Sequence, residues 1–328
     1  IDLAGEEFNL NSSQQLAVIL FDKLKLPMIK KRSTAEAVLS ELKDKHPLPE
    51  LILSYRKLYK LKNTYLDPLP SYIISDTQRV HSSFNQTMTA TGRLSTSSPN
   101  FQNIPIRTED GKEIRKAIKA QSNEYQIFSA DYSQVELRVM AHLSGDTSLI
   151  SALNNGEDIH TFTAKNIFNV DNDDMVLPEM RRIAKIVNFG IMYGAGPFRL
   201  SQELDIPFGE AKQIKDAYFK KYQGIEQYIE NSKLQIKETK SVETLLGRKR
   251  AVWDSDSQNK IRRDAAERMA INMPIQGTAA EMIKLAMIKI HRQMNKQNLK
   301  SKLIMQIHDE LLLEVHQDEI DYISKMVI

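Results

Sequence analysis

Strand-like sequence is scarce in this chain, and it is concentrated in two places where apolar residues lead into an acidic one. Residues 125–132 form a short apolar segment that ends at an acid, Asp131. Residues 302–315 read as a hairpin of two apolar strands with His308, Asp309 and Glu310 at the turn. Helical periodicity dominates most of the remaining sequence. Mixed helices with few strands are typical of an α+β architecture, and we expect that fold class here.

The composition agrees with long helices and excludes several structural and functional classes of protein. The 328 residues include only 12 glycines and 11 prolines, which disfavours a turn-rich β sandwich. The absence of cysteine excludes a disulfide scaffold, a thiolate metal site and a cysteine nucleophile. Because the net charge is only +3, any nucleic-acid-binding surface must come from local clusters of basic residues. No apolar run approaches the length of a membrane-spanning helix.

The chain length suggests about two domains, and the sequence pattern changes along it. Residues 1–66 read as helices with short breaks, and residues 67–107 are irregular and rich in Pro, Ser and Thr. Residues 133–250 and 264–298 carry mostly helical patterns. Interruptions of these helical patterns are expected at clusters of helix-breaking residues, namely Gly190, Gly194 and Gly196, and Pro274 with Gly277.

Both ends of the sequence suggest a piece of a longer protein. The chain opens with Ile1-Asp2-Leu3 rather than with Met or a signal peptide. It ends at Met326-Val327-Ile328, inside an apolar pattern that resembles a helix. We therefore expect both ends to have been cut from a longer chain.

Asp131 and Asp309 are candidate metal ligands because each lies at the end of an apolar strand. If the two strand ends are adjacent in space, their carboxylates form an oxygen-rich site for a hard divalent cation such as Mg²⁺. Glu310 adds a possible third donor. Two simpler interpretations stay open at this point: residues 308–310 can be a polar turn, and Asp131 can be the N-cap of the following helix.

A helix predicted to start near Pro178 and Glu179 carries a chemically distinctive face. Residues with a spacing of four share one side of a helix, and here they are two cations followed by two aromatic rings: Arg181, Lys185, Phe189 and Tyr193. Two cations one turn apart suit a polyphosphate, and the rings can stack on a base. The alternative is a solvated face opposite an apolar one that contains Ile183, Ile186 and Val187.

A second basic segment lies near the start of the chain. Residues 51–65 include Arg56, Lys57, Lys60 and Lys62 but no acidic residue. Such a stretch is either a solvated helix face or a contact surface for a phosphate backbone. The segment alone does not decide between these interpretations.

Three segments, in this order, resemble motifs A, B and C of family A DNA polymerases, the bacterial DNA polymerase I type. Residues 131–138 are similar to motif A, residues 181–194 to motif B, and residues 306–310 to motif C. The resemblance runs from about residue 9 to the last residue. Further stretches that resemble the family are 89–95, 100–107 and 272–280.

The resemblance implies a right-hand fold with thumb, palm and fingers, and with an antiparallel sheet in the palm. The thumb would comprise residues 1–68, the fingers 147–255, and the palm 69–146 together with 256–328, the C-terminal tail being missing. The family's proofreading domain would precede Ile1, so we expect this chain to lack exonuclease activity. A monomer in the bacterial cytoplasm, associated with the nucleoid, is also implied.

The implied activity is template-directed DNA synthesis in replication and repair, from deoxynucleoside triphosphates on primer-template DNA. Two Mg²⁺ ions, replaceable by Mn²⁺, would be held by Asp131, Asp309 and the Tyr132 carbonyl, with Glu310 as a neighbour of lesser weight. Lys185 is the implied proton donor to pyrophosphate. Glu136 would crowd the 2′ position of the sugar and exclude ribonucleotides.

The resemblance assigns the remaining site residues to two groups by what they would contact. The incoming nucleotide would contact Arg181, Lys185, Phe189, Tyr193, His160, Gln134 and Glu136. The DNA would contact Arg93, Gln276, Asn272, Arg268, His308, Arg56, Lys57, Lys60 and Lys62. His160, taken alone, reads as an ordinary surface histidine.

Three alternatives to a DNA polymerase remain. A single-subunit RNA polymerase shares the palm and a similar cationic helix, but Glu136 leaves little room for a 2′-hydroxyl. A catalytically inactive DNA-binding relative is disfavoured by the presence of Asp131, Lys185 and Asp309. A two-metal nuclease would use the carboxylates but has no need of the triphosphate-binding helix face.

Overall fold

The computed structural model describes residues 2–104 and 109–328. The chain divides into two compact units: unit 1 comprises Ile1–Ser83 and Thr96–Ile118, and unit 2 comprises Phe84–Ser95 and Lys119–Ile328. Pro105, Ile106 and Arg107, which belong to one of the family-like stretches, lie outside the described residues.

Most elements of the described chain are helical. The α-helices are α1 (Ser13–Ala17), α2 (Glu36–Leu42), α3 (Pro47–Leu61), α4 (Glu109–Arg115), α5 (Val135–Ser144), α6 (Thr147–Asn154), α7 (Ile159–Phe168), α8 (Pro178–Met192), α9 (Pro197–Leu204), α10 (Phe208–Lys221), α11 (Gln223–Thr239), α12 (Lys260–Lys296) and α13 (Ile320–Val327). The strands are β1 (Ile73–Ile74), β2 (Arg79–Val80), β3 (Ser83–Asn85), β4 (Ser95–Ser97), β5 (Tyr125–Asp131), β6 (Ser241–Glu243), β7 (Lys249–Ala251), β8 (Lys302–Ile307) and β9 (Glu310–His316).

Unit 1 is built from short helices around its own apolar core. The first helix begins after Ser12, whose hydroxyl accepts a hydrogen bond from the Gln15 backbone N–H at 3.3 Å. Leu16, Leu39 and Ile52, from α1, α2 and α3, are buried together. The predicted helices with short breaks over residues 1–66 are confirmed.

The sheet of unit 2 joins the two strand-like segments of the sequence. The central strand is β9, which pairs antiparallel with β5 on one side and with β8 on the other. The register places Asp131 opposite Glu310. Leu313 and Val315 of β9 are buried against Ile283 of α12, which holds the sheet in position. The predicted strand and hairpin are therefore confirmed.

A large apolar cluster holds the helices of unit 2 together. It includes Val187 and Ile191 of α8, Leu149 of α6 and Ile225 of α11. Because α8 buries this side, its opposite side is available for polar chemistry. No described helix has both the length and the apolar composition needed to cross a membrane.

The predicted interruption of the last long helix is wrong. Helix α12 runs through Pro274 without ending, although proline removes one backbone hydrogen bond at a cost of about 3 kcal/mol. Neighbouring elements hold the helix: Ile275 is fully buried, and the Tyr228 hydroxyl donates to the Ile271 carbonyl at 3.2 Å. A Cβ at Gly277 would lie 3.2 Å from the Thr91 carbonyl oxygen, so glycine serves close packing here.

The predicted break at the glycine cluster lies at its second and third glycines. Helix α8 ends at Met192, Gly194 adopts a φ of +73°, and Gly196 is the N-cap of α9. Gly190 is instead inside α8, where a Cβ would lie 3.0 Å from the Leu200 side chain. The first glycine therefore allows α8 and α9 to pack closely and does not end the helix.

Candidate active site

The two strand-end carboxylates lie side by side in unit 2. Asp131 ends β5, Asp309 occupies the turn between β8 and β9, and the Tyr132 backbone N–H donates to the Asp309 carbonyl at 3.2 Å. The turn is sharp, since His308 has a φ of +53°. Residues 308–309 are thus a polar turn, as the simpler interpretation held, but the turn is placed against Asp131. The N-cap interpretation of Asp131 is wrong, because Gln134 precedes α5 as its N-cap.

Negative charge is concentrated at this edge of the sheet. Partial burial, followed by the charges of Asp309 and Glu310, raises the pKa of Asp131. The Ser129 hydroxyl donates to Glu310 at 2.5 Å and satisfies part of that carboxylate. The described residues contain no cluster of three or more side chains arranged to hold a metal alone. Two carboxylates fit Mg²⁺, which takes one or two of them and completes its shell with water and substrate phosphates.

The cationic face of α8 lines the same cavity as the two carboxylates. This open cavity of about 380 Å³ is lined by Arg181, Lys185 and Phe189 as well as by Asp131 and Asp309. The remaining lining residues are Tyr132, Ser133, Gln134, Val135, Glu136 and His160. Spacing by four therefore predicted correctly that the first three positions share one surface. Val187, on the other side of α8, is fully buried, so the helix has both a core face and a cavity face.

Tyr193 lies beside the cavity and is absent from its lining. It follows the last residue of α8, and its ring is stacked on that of Phe189 with centroids 6.2 Å apart. Its hydroxyl donates to Glu136. Burial and the negative charge of Glu136 raise the pKa of Tyr193, so this hydroxyl keeps its proton and remains a donor.

Glu136 is fixed in place by two partners and is only 5% exposed. It belongs to the first turn of α5 and accepts hydrogen bonds from Arg93 and from Tyr193. Burial raises the pKa of Glu136, and this effect outweighs the opposing influence of Tyr193 and Arg93. A carboxyl group held on two sides is a rigid wall of the cavity.

Arg181 is paired with an acid that no sequence motif singles out. Asp158 accepts from Arg181 Nε at 3.2 Å and from its Nη2 at 2.6 Å, and it also caps α7 by accepting from the Thr161 backbone N–H at 2.7 Å. Burial opposes ionisation of Asp158, but these hydrogen bonds prevail and lower its pKa to about 2. The Asp-x-x-Thr pattern at a helix start predicts the cap, whereas the ion pair has no sequence signal.

His160 is not an ordinary surface histidine, because it is only 4% exposed. Its ring lies 5.7 Å from that of Phe189, and its Nδ1 is 3.1 Å from the side-chain nitrogen of Asn188. Asn188 is a buried polar residue of α8 that sequence reasoning missed. Its one signal in the sequence is a polar residue within the core face of a helix.

The other predicted DNA-contacting residues of unit 2 lie around the end of the sheet and on α12. Arg93 and His308 line a second, small cleft together with Asp309. Asn272 donates to the Tyr193 carbonyl at 3.5 Å, and its own Oδ1 is buried with no hydrogen-bond partner among the described residues. The side chain of Gln276 lies beside that of Tyr193. The side chain of Arg268 packs beside Gly194, which is again next to the end of α8.

The basic segment of unit 1 is less free than its sequence suggests. Acids from outside the segment pair with two of its lysines: Lys57 lies 3.2 Å from Asp110, and Lys62 lies 2.5 Å from Asp67. Arg56 is half-buried and donates to the backbone carbonyl and the hydroxyl of Thr34. Exposed ion pairs contribute only about 0–1 kcal/mol, so a phosphate can replace these carboxylates.

Known proteins are similar to this chain in sequence and in architecture. The model of DNA polymerase family A matches residues 1–328. A thermostable DNA polymerase I of Thermus caldophilus is 50% identical over 321 residues, which are 96% of this chain and 38% of that protein. DNA polymerase I of Bacillus subtilis is 46% identical over 330 residues, which are 99% of this chain and 37% of that protein. The chain thus spans less than two fifths of the length of these relatives.

A solved structure supports the same family. The polymerase domain of Pol1 from M. smegmatis, in complex with DNA primer-template and dNTP, matches with a TM-score of 0.93 and 42% identity. The match covers 99% of this chain and 58% of that one. The expected α+β fold of the right-hand polymerase type is confirmed.

Proposed function

This chain belongs to DNA polymerase family A, and on that premise we propose that it catalyses template-directed DNA synthesis. It would add deoxynucleotides to a primer 3′-hydroxyl with release of pyrophosphate. The observation that carries the proposal is the cavity of unit 2, whose lining includes both the carboxylates of Asp131 and Asp309 and the cationic side chains of Arg181 and Lys185. The carboxylates suit metal ions, and the cations suit the triphosphate that those ions would share.

The proposed functional regions are a thumb over residues 1–68, fingers over 147–255, and a palm formed by 69–146 and 256–328. The antiparallel sheet β5–β9–β8 would then belong to the palm and α8 to the fingers. We further propose primer-template DNA and deoxynucleoside triphosphates as the partners, with the protein acting as a monomer on the nucleoid of a bacterial cell.

Asp131, Asp309 and the Tyr132 carbonyl are the proposed ligands of two Mg²⁺ ions. When bound, such ions lower the pKa of the primer hydroxyl and neutralise charge on the triphosphate and the leaving pyrophosphate. Glu310 has a lesser role, since Ser129 already occupies one of its oxygens. The two aspartates lie side by side at the edge of the sheet, so the primer end and the α-phosphate would meet beside them.

Arg181, Lys185 and His160 are the proposed contacts to the triphosphate. The planar guanidinium of Arg181 offers two parallel donors, and it would exchange Asp158 for phosphate oxygens when a nucleotide enters. Lys185 is the proposed proton donor to pyrophosphate, because its ammonium group lines the cavity one helical turn beyond Arg181.

The sugar and base of the nucleotide would lie along the remaining walls of the cavity. Phe189 would contact the sugar and base, Tyr193 would stack near the templating base, and Gln134 would lie near the nucleotide and the primer end. Glu136, held by Arg93 and Tyr193, would meet the 2′ position. Discrimination against ribonucleotides then follows from the rigidity of one buried side chain.

Five residues of unit 2, two in the second cleft and three beside the end of α8, are proposed contacts to the DNA duplex. Minor-groove acceptors occur in A·T and T·A pairs alike, so such contacts test the shape of the base pair rather than its sequence. Arg93 and Gln276 are the proposed donors to these acceptors near the primer end, and Asn272, Arg268 and His308 are the further proposed DNA contacts of unit 2.

The proposed function is tested by single-nucleotide incorporation on four templates that differ only in the templating base. Each template should direct incorporation of its Watson–Crick partner from a mixture of four deoxynucleotides. Addition that is independent of the template base would contradict template-directed synthesis. Shortening of the primer would instead indicate nuclease chemistry at the carboxylates.

Glu136→Ala should admit ribonucleotides, because the smaller side chain leaves space for a 2′-hydroxyl. Glu136→Gln is the matched control: it removes the charge and the ion pair with Arg93 but keeps the volume, so it should retain most of the discrimination. The measurement is the ratio of kcat/KM for a deoxynucleotide to that for the matching ribonucleotide. An unchanged ratio in the alanine variant would mean that another residue excludes the ribose.

Neutralising Lys57, Lys60 and Lys62 together, by substitution with Gln, should flatten the salt dependence of primer-template binding. Each lost phosphate contact reduces the slope of log K against log salt by about 0.9. The expected change is therefore up to about 3, measured by fluorescence anisotropy across a salt titration. Substitution of three exposed lysines of α10 and α11, Lys212, Lys220 and Lys237, is the control. Equal slopes in both variants would mean that the basic segment of residues 51–65 is a solvated helix face and does not contact the DNA.

A further inference from the structure

A chain of buried polar groups extends inward from the cavity behind His160. His160 and Thr163 belong to α7, Asn188 belongs to α8, and Tyr222 lies between α10 and α11. Their exposed fractions are 4%, 0%, 1% and 0%, in that order. Buried polar groups cost free energy unless they are paired, and these four side chains pair with one another across three separate segments.

The donor and the acceptor of each hydrogen bond among these four side chains can be assigned. The Thr163 hydroxyl donates to Asn188 Oδ1 at 3.2 Å and lies 2.8 Å from the Tyr222 hydroxyl. Since the single proton of Thr163 is used on Asn188, Tyr222 must donate to Thr163. The amide of Asn188 is thereby oriented with its NH₂ group toward His160 Nδ1, at 3.1 Å.

We propose that Tyr222, Thr163 and Asn188 are positioning residues that fix His160 in the tautomer with its proton on Nε2. An amide NH₂ can only donate, so Nδ1 must accept and cannot carry the proton. In the described part of the structure no residue hydrogen-bonds Nε2, and His160 lines the cavity with Arg181 and Lys185. The Nε2–H group is therefore a neutral donor directed to an anionic ligand. Its identification as a triphosphate oxygen rests on the proposed function.

The charges around His160 agree with a neutral ring. Burial lowers the pKa of His160, Arg181 and Lys185 lower it further, and Asp158 opposes them. A neutral N–H donor adds a third contact beside two cations without adding a third repelling charge. With the opposite tautomer, the lone pair of Nε2 would face the phosphate oxygens and repel them.

The tautomer can be read directly by NMR on the full chain labelled with ¹⁵N-histidine. Long-range ¹H–¹⁵N correlation distinguishes a protonated from an unprotonated ring nitrogen, and His160→Ala assigns the signals by their loss. We expect Nε2 protonated and Nδ1 unprotonated in wild type at neutral pH. In Asn188→Asp, whose carboxylate can only accept, the proton should move to Nδ1 or the ring should become doubly protonated. A wild-type ring with its proton on Nδ1 would overturn the proposal.

Kinetic measurements then test whether the hydrogen-bonded residues Tyr222, Thr163 and Asn188 act through His160. Thr163→Val keeps the shape of the side chain but frees the Asn188 amide to rotate, and we expect KM for the deoxynucleotide to rise about tenfold with kcat little changed. Thr163→Ser restores the hydroxyl and should restore KM. In a His160→Ala background, Thr163→Val should have no further effect, because its partner is gone.

The outcomes separate this proposal from the one on which it rests. Equal effects of Thr163→Val with and without His160 would mean that the buried chain serves only folding, and the proposal would fail. Absence of primer extension by the wild-type protein would refute the polymerase assignment instead. The NMR result would still decide the tautomer, since it requires no activity.

Discussion

Asp131→Asn and Asp309→Asn should each abolish primer extension, with a fall in rate of roughly a thousandfold or more. Each substitution keeps the size of the side chain and removes one negative charge from the edge of the sheet where β5 and the β8–β9 turn meet. Catalysis of phosphoryl transfer depends mostly on positioning and on neutralising charge. The measurement is the single-turnover rate of extension with Mg²⁺.

Two controls make this result specific. Asp216→Asn removes an exposed charge on α10 that does not line the cavity, and it should leave the rate unchanged. Primer-template affinity, measured by anisotropy, should remain within a few-fold of wild type in both site variants, because they retain the proposed DNA contacts. Extension near the wild-type rate by either site variant would refute the two-metal assignment.

Phe189→Tyr should greatly increase the acceptance of dideoxynucleotides. A normal substrate carries a 3′-hydroxyl that can hydrogen-bond its own phosphate oxygens, and a dideoxynucleotide lacks it. The ring of Phe189 lines the cavity one turn beyond Lys185, so a hydroxyl at its tip can replace the missing group. A hydrogen bond to a charged oxygen is worth roughly 1.5–3 kcal/mol, which corresponds to about tenfold to a hundredfold and more.

The measurement is the ratio of dideoxy- to deoxynucleotide incorporation in direct competition. Phe198→Tyr, on an exposed ring of α9, is the control and should leave the ratio at its wild-type value. Turnover of deoxynucleotides by Phe189→Tyr should change little. If the incorporation ratio of Phe189→Tyr equals that of wild type, Phe189 does not contact the sugar. Arg181, Lys185 and Phe189 then do not bind the nucleotide together.

The parts of the fold that follow from local pattern were predictable from the sequence. Residues 125–131 and 302–316 form strands because apolar side chains there pack on α12, and the turn between β8 and β9 follows from its polar residues. The spacing of Arg181, Lys185 and Phe189 predicts their common face, because residues four apart on one helix lie on the same side of it.

The features that the sequence did not predict depend on tertiary contacts. Pro274 is tolerated inside α12 because α5 and α11 pack against that helix, and such support has no local signature. The burial of His160 depends on the pairing of α7 with α8. Asp158 meets Arg181 only in the folded chain, so neither the ion pair nor the Asn188–His160 contact can be read from spacing.

Primer extension by the wild-type protein, with Mg²⁺ and with either deoxy- or ribonucleoside triphosphates, is the most direct test that the cavity of unit 2 synthesises DNA. We predict extension to the end of the template with deoxynucleotides and strong discrimination against ribonucleotides. When the metal is chelated, we predict no extension with either kind of nucleotide. Preference for ribonucleotides would identify an RNA polymerase, and degradation of the primer would identify a nuclease. Tight primer-template binding without any extension would mean that the carboxylates and cations form a binding site that is not catalytic. Each of these three results would contradict the proposal that this chain is a DNA polymerase.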